Sequence, residues 1–152
     1  MSLETFVRES NWIEGILRDP SKDEVVAHHQ FLSADGAPDI ERMERFVSRV
    51  QPDAVLRRMT GLDVRVGNHI APPGGPVIEV ALRDMLIDAP HMHPFRTHRL
   101  YETLHPFTDG NGRSGRVLWL WMMRERGEAE RVRALGFLHL WYYQSLDAER
   151  AR

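Results

Sequence analysis

Residues 105–116 read HPFTDGNGRSGR, and the apolar run Val117, Leu118, Trp119, Leu120, Trp121, Met122, Met123 follows them directly. An apolar run of this length reads as a buried helix, so the polar stretch before it must be the turn that enters that helix. The rest of the chain then has to wrap a core around this helix while leaving its N-terminal turn accessible. Gly110, Asn111 and Gly112 let the backbone turn through positive φ, so that successive N–H groups point into one concavity. The helix dipole and the free N–H groups of its first turn favour phosphate there. Arg113 and Arg116 are three apart, hence on one helical face, where two guanidinium forks can hold neighbouring phosphate oxygens. Asp109 is a hard oxygen ligand placed to bridge a divalent cation to those phosphates, with magnesium the natural candidate. His105, at the other end of the loop, has the near-neutral imidazole usually chosen to take a proton from a hydroxyl. A nucleotide and a hydroxyl nucleophile are implied.

In this order the residues fit, at every defined position, the pattern His-x-Phe-x-Asp/Glu-Gly-Asn-Gly-Arg-x-x-Arg. The chain therefore resembles the Fic-domain proteins of the Fic/Doc superfamily. The resemblance implies an all-α, Fic-type helical domain with a small β-hairpin flap. It also implies an enzyme that transfers AMP from ATP to a Ser, Thr or Tyr hydroxyl of a target protein, with ATP as substrate and Mg2+ as cofactor. Carried over residue by residue, His105 is the general base, Asp109 the magnesium ligand, and Gly110, Asn111 and Gly112 the phosphate cradle. Arg113 and Arg116 hold the outer phosphates, and Phe107 is the buried anchor of the loop. A phosphorylating branch of the family has lysine where this chain has Gly112, which points away from kinase chemistry.

A second resemblance lies near the start. Ser10 to Gly15 reads SNWIEG, which fits the inhibitory pattern Ser/Thr-x-x-x-Glu-Gly/Asn of Fic proteins that carry their own blocking helix. Its position ahead of the motif implies the N-terminal inhibitory class. Periodicity bears on the same residues: the stripe Leu3, Phe6, Val7, Ile13, Leu17 is filled on the same face by Ser10 and Glu14. Burying a lone carboxylate costs several kcal/mol, so an inward Glu14 needs a cation, and the resemblance names Arg116. The alternative is that Glu14 lies at a fraying helix end before Gly15 and faces water.

The remaining features bound the class. At 152 residues the chain is expected to form one domain, residues 1–152, with its inhibitory helix at about 3–18. It has no cysteine, no opening charged-then-apolar signal and no spanning apolar run, so a cytoplasmic protein without disulfides or membrane contact is expected. A formal charge of −2 with both signs interspersed argues against nucleic acid as a partner. A monomer or a homo-oligomer is equally compatible. Other readings of the activity are transfer of a different nucleotidyl or phosphate-containing group, removal of AMP, or a toxin-like module regulated by a partner.

Along the chain, a helix is expected over Leu3 to Arg18, and Ser21 caps a second through Leu32. Asp35 to Pro38 is a turn, followed by helices over Asp39 to Val50 and Pro52 to Thr60. Leu62 to Ile70 carries Gly67-Asn68 between β-branched residues and reads as a hairpin. In the resemblance it is the flap that docks an extended target segment by strand pairing, placed at Val64, Arg65, Val66, Gly67, Asn68, His69 and Ile70. After a stiff Pro/Gly loop, helices are expected over Val77 to Ile87 and from about Arg96 to Leu104. His28, His29, His91, His93 and His98 read as surface residues rather than metal ligands. Trp119, Trp121, Trp141, Tyr142 and Tyr143 read as core and partly buried interface rather than a stacking platform.

Overall fold

The computed structural model describes residues 2–129. Trp141, Tyr142 and Tyr143 lie outside the described residues. The fold is helical with one small hairpin: α1 (Leu3–Ile13), α2 (Lys22–Ser33), α3 (Ile40–Val50), β1 (Arg65–Val66), β2 (His69–Ile70), α4 (Pro76–Asp88), α5 (Pro94–Leu104) and α6 (Asn111–Glu125). A single 3-10 turn, Ala89–His91, joins α4 to α5.

The apolar run of the sequence becomes the central helix. Every residue of α6 from Arg113 to Met123 is buried, as expected of a helix that is apolar on all sides. α5 packs along it, and α1, α2 and α3 also touch it. Trp119 and Trp121 are core residues, as the sequence suggests, and Phe6, Phe31, Phe46, Ile78, Leu82 and Leu118 complete the interior. α5 and α6 come close because Gly115 has no side chain: a Cβ there would stand 2.9 Å from the Tyr101 ring and 2.8 Å from Glu102 Oε1.

The helix starts follow local chemistry. Ser21 and Glu24 form a capping box at α2, and Asp39 caps α3 through Arg42 N–H at 2.8 Å. Arg42 in turn reaches back to the end of α2, donating through Nε to the Phe31 carbonyl at 2.8 Å and through Nη1 to Gly36 O at 2.8 Å.

Three expectations are corrected. α1 ends at Ile13 rather than Arg18, because Gly15 turns left-handed at φ 76° and the Gly15 and Ile16 N–H groups bond back to the Trp12 and Asn11 carbonyls at 2.9 and 3.0 Å. This double bond is a Schellman stop, and it leaves Leu17 79% exposed instead of on a buried stripe. Residues 52–60 form no helix. Leu56 instead makes an antiparallel bridge to Phe107, with Arg57 N–H bonding Pro106 O and Thr108 N–H bonding Val55 O, each at 2.9 Å. The motif loop needs partners for its own backbone groups, and this extended strip supplies them. Third, His28 and His98 are not surface residues but fully buried. His28 donates through Nδ1 to Glu24 O at 2.7 Å and meets the Phe46 ring edge to face; burial pushes its pKa down to about 4, so it is a neutral core residue.

The hairpin is present but short. Its register pairs Arg65 with Ile70 and Val66 with His69 around the Gly67-Asn68 turn, and Val64 lies outside the strands. All four paired residues are exposed.

Candidate active site

α5 ends at His105, which takes up a left-handed conformation, φ 48° and ψ 64°. Pro106 disfavours a further right-handed turn at the residue before it. The turn brings the imidazole back onto its own helix, where Nδ1 donates to the Glu102 carbonyl at 2.7 Å. With its proton committed there, the other ring nitrogen, Nε2, is the acceptor of the neutral imidazole. Burial holds the His105 pKa below the ordinary histidine value; the Glu102 bond opposes this, and His69 and Arg57 reinforce it.

The loop between His105 and α6 is fixed by two residues. Phe107 is buried to 1% exposure. Asn111 brackets it, accepting from Phe107 N–H at 2.9 Å through Oδ1 and donating to Phe107 O at 2.8 Å through Nδ2. The Asn111 side chain is thus a buried loop clasp, while its backbone opens α6. Only Gly110 of the three cradle residues has a positive φ, 76°. Gly112 is helical, and its need for glycine is one of space.

No side chain caps α6, so the N–H groups of its first turn face outward at the positive end of the dipole. Asp109, exposed beside them, accepts from Gly110 N–H through Oδ1 at 2.7 Å. An anion from elsewhere in the chain lies over the same turn. A Cβ on Gly112 would fall 2.0 Å from Glu14 Oε1. That oxygen accepts from Arg116 Nη2 at 2.6 Å, while Arg116 also donates through Nε to Ser10 Oγ at 2.7 Å and through Nη2 to Ser10 O at 3.0 Å. Arg116 is 2% exposed and Glu14 37%. Arg113 is turned to α3, with Val50 O at 2.9 Å and Gln51 Oε1 at 2.6 Å.

Residues 20–123, about two thirds of the chain, match the family model described as the Fic/DOC family. The chain belongs to that family. No curated protein matches it.

The matched span of the Fic/DOC domain covers the hairpin and the whole 105–116 motif and begins after α1, so the helix bearing Ser10 and Glu14 lies outside it. Asp109 offers one exposed carboxylate beside the α6 N-terminus, a hard oxygen donor of the kind magnesium takes. Among the described residues no cluster of three or more His, Cys, Asp or Glu could cage an ion, and magnesium commonly takes one or two carboxylates, with phosphates and water completing its shell. No helix among the described residues is long and apolar enough to cross a membrane.

Two residues of this Fic/DOC site carry no signal in the sequence. Glu102 points Oε1 into a sealed space beside His98 and Gly115, where that oxygen has no hydrogen-bond partner. Burial pushes its pKa up to about 7, with Glu14 adding and Arg116 opposing. Arg57 is fully buried, with carbonyl oxygens as its hydrogen-bond partners. Three of those four carbonyls come from distant positions, and periodicity assigns the residue to a helix that does not form.

Proposed function

We propose that the chain is a protein adenylyltransferase held off by its own first helix, transferring AMP from ATP to a Ser, Thr or Tyr hydroxyl of a target protein. One observation carries the reading: an imidazole with Nδ1 committed is joined by a short loop to an uncapped helix N-terminus, and the carboxylate of Glu14, the C-cap of α1, lies over that terminus. His105 Nε2 takes the hydroxyl proton as the hydroxyl oxygen attacks the α-phosphorus. The bond from that phosphorus to the oxygen bridging to the β-phosphate breaks, and pyrophosphate leaves. Because the His105 pKa is depressed, the imidazole is neutral and ready to accept near pH 7. The α6 N–H groups at Gly112 and its neighbours take phosphate oxygens, and Arg113 and Arg116 take the outer phosphates. Asp109 would hold magnesium, which neutralises phosphate charge when bound. An extended target segment adds to the hairpin at residues 64–70 and presents its hydroxyl to His105.

In the form described here Glu14 occupies Arg116 and the space over Gly112. The γ-phosphate then meets a carboxylate where it needs a guanidinium, and the α-phosphate is not presented in line. The test is label transfer to proteins of a cell extract from ATP labelled at the α-phosphate. It compares the native chain, Glu14→Gly, and Glu14→Gly with His105→Ala. Label is expected in Glu14→Gly alone. Equal label in the native chain rejects the lock, label in the double variant rejects the base, and none in any form rejects the donor or the reaction.

A further inference from the structure

A helix leaves its last carbonyls without helical partners, and at α5 those carbonyls are the ones that aim His105. Their partners can be followed one by one. Tyr101 O accepts from the His105 N–H at 2.9 Å, and Glu102 O from His105 Nδ1 at 2.7 Å. Thr103 O lies 2.9 Å from Nε2 of His69, which must be the donor because a carbonyl can only accept. Leu104 O and His105 O accept from Arg57, through Nη2 at 2.8 Å and Nε at 2.7 Å. After His105 has bonded two carbonyls itself, the next three are held by β2 and by Arg57.

The same guanidinium holds the hairpin. Arg57 Nη1 donates to Leu62 O at 3.0 Å and to Pro72 O at 2.8 Å, the two feet between which the hairpin rises. A buried arginine normally has a carboxylate partner; here four carbonyl dipoles hold the charge, two from the feet of the hairpin and two from the end of α5. His69 makes the third tie, from the exposed strand β2, and its ring centroid lies 6.4 Å from that of His105. Neither side chain gives or takes the proton in the proposed transfer, though both reinforce the lowered His105 pKa.

We propose that Arg57 and His69 are positioning residues that fasten the hairpin to the end of α5, so that a target segment paired with the hairpin is registered against His105 Nε2. This rests on the reading of His105 as base and of the hairpin as the target's docking strand. It predicts that His69 matters through its N–H, since glutamine can also donate from a side-chain nitrogen while alanine cannot.

The experiment uses the full chain carrying Glu14→Gly, with His69→Ala or His69→Gln added. Label transfer from α-labelled ATP is followed over a range of extract protein concentration. His69→Ala is expected to label roughly tenfold more slowly at low extract, the order of one lost hydrogen bond, and to recover as extract is raised. His69→Gln is expected to keep the parent rate. A His69→Ala deficit that extract does not relieve, a deficit of equal size in His69→Gln, or no deficit overturns the proposal. Should Glu14→Gly itself label nothing, the reaction reading fails but the tie remains testable by amide hydrogen exchange over residues 64–70. Exchange there is expected to quicken in His69→Ala and to stay near native in His69→Gln; equal exchange in all three overturns it.

Discussion

Glu102 occupies an uneasy position. Its Oε1 is buried with no hydrogen-bond partner, 3.8 Å from His98 Nε2 in a side chain that is 27% exposed, and burial pushes its pKa up to about 7 from an ordinary value of about 4.5. A folded state that retains a proton the unfolded state releases is favoured below about pH 4.5 and loses that advantage as pH rises through about 7. Glu102→Gln is therefore expected to remove this decline: the difference in melting temperature between variant and parent should grow in the variant's favour from pH 4.5 to 7. Parallel curves would show that Glu102 does not titrate in this window. His28 and His98, held neutral by burial with pKa values of about 4 and 3, act in the opposite sense, costing stability as pH falls below about 6.5. The parent minus variant comparison separates them. A second residue prediction concerns Asn111, whose amide satisfies both backbone groups of buried Phe107. Asn111→Ala strands a buried donor and a buried acceptor and should cost about 2–4 kcal/mol in urea unfolding. The motif names both residues of that clasp by position, but not the bridge from Phe107 to Leu56 that holds the loop from the other side of the sequence. That bridge spans about fifty residues and leaves no local pattern.

At the level of elements, the helices were legible wherever a cap and an apolar period agreed. Ser21 and Asp39 placed α2 and α3 to within a residue or two, and the apolar run 117–123 located the central helix without its bounds. Legibility failed where a long-range demand outweighed the local period. Residues 52–60 have helical spacing but serve as backbone partners for the motif loop, and the stripe through Leu17 is cut by the turn at Gly15. The interface between α5 and α6 is the element most exposed to a single change. At Gly115 a methyl group would press on the Tyr101 ring and on Glu102. Gly115→Ala is expected to destabilise by about 1–3 kcal/mol by forcing the two helices apart, measured as a lower urea midpoint. No loss would mean that the Tyr101 ring shifts freely, which its hydrogen bond to Ser114 Oγ at 2.7 Å opposes.

For the whole molecule, the division that matters is between α1 and the rest. α1 precedes the matched Fic/DOC span and docks on α2 and α6, with Phe6 and Val7 buried and Ser10 and Asn11 sealed against the core. If Glu14 restrains the site, loosening the helix elsewhere should do so too. Phe6→Ala removes a buried ring from that contact and is expected to raise label transfer part of the way to the Glu14→Gly level, with faster amide exchange confined to residues 3–13. Activity unchanged despite faster exchange would separate the lock from the docking of the helix. The contact between Glu14 and Arg116 is made within one chain, with α1 joined to α2 by the short stretch 14–21. Its strength is set by an effective concentration, which for a short tether is of order millimolar, and not by how much protein is present. Dilution cannot open such a contact, and a free copy of the helix would compete only near that concentration. If Glu14 restrains the site, that restraint belongs to each molecule singly and does not depend on how many copies surround it.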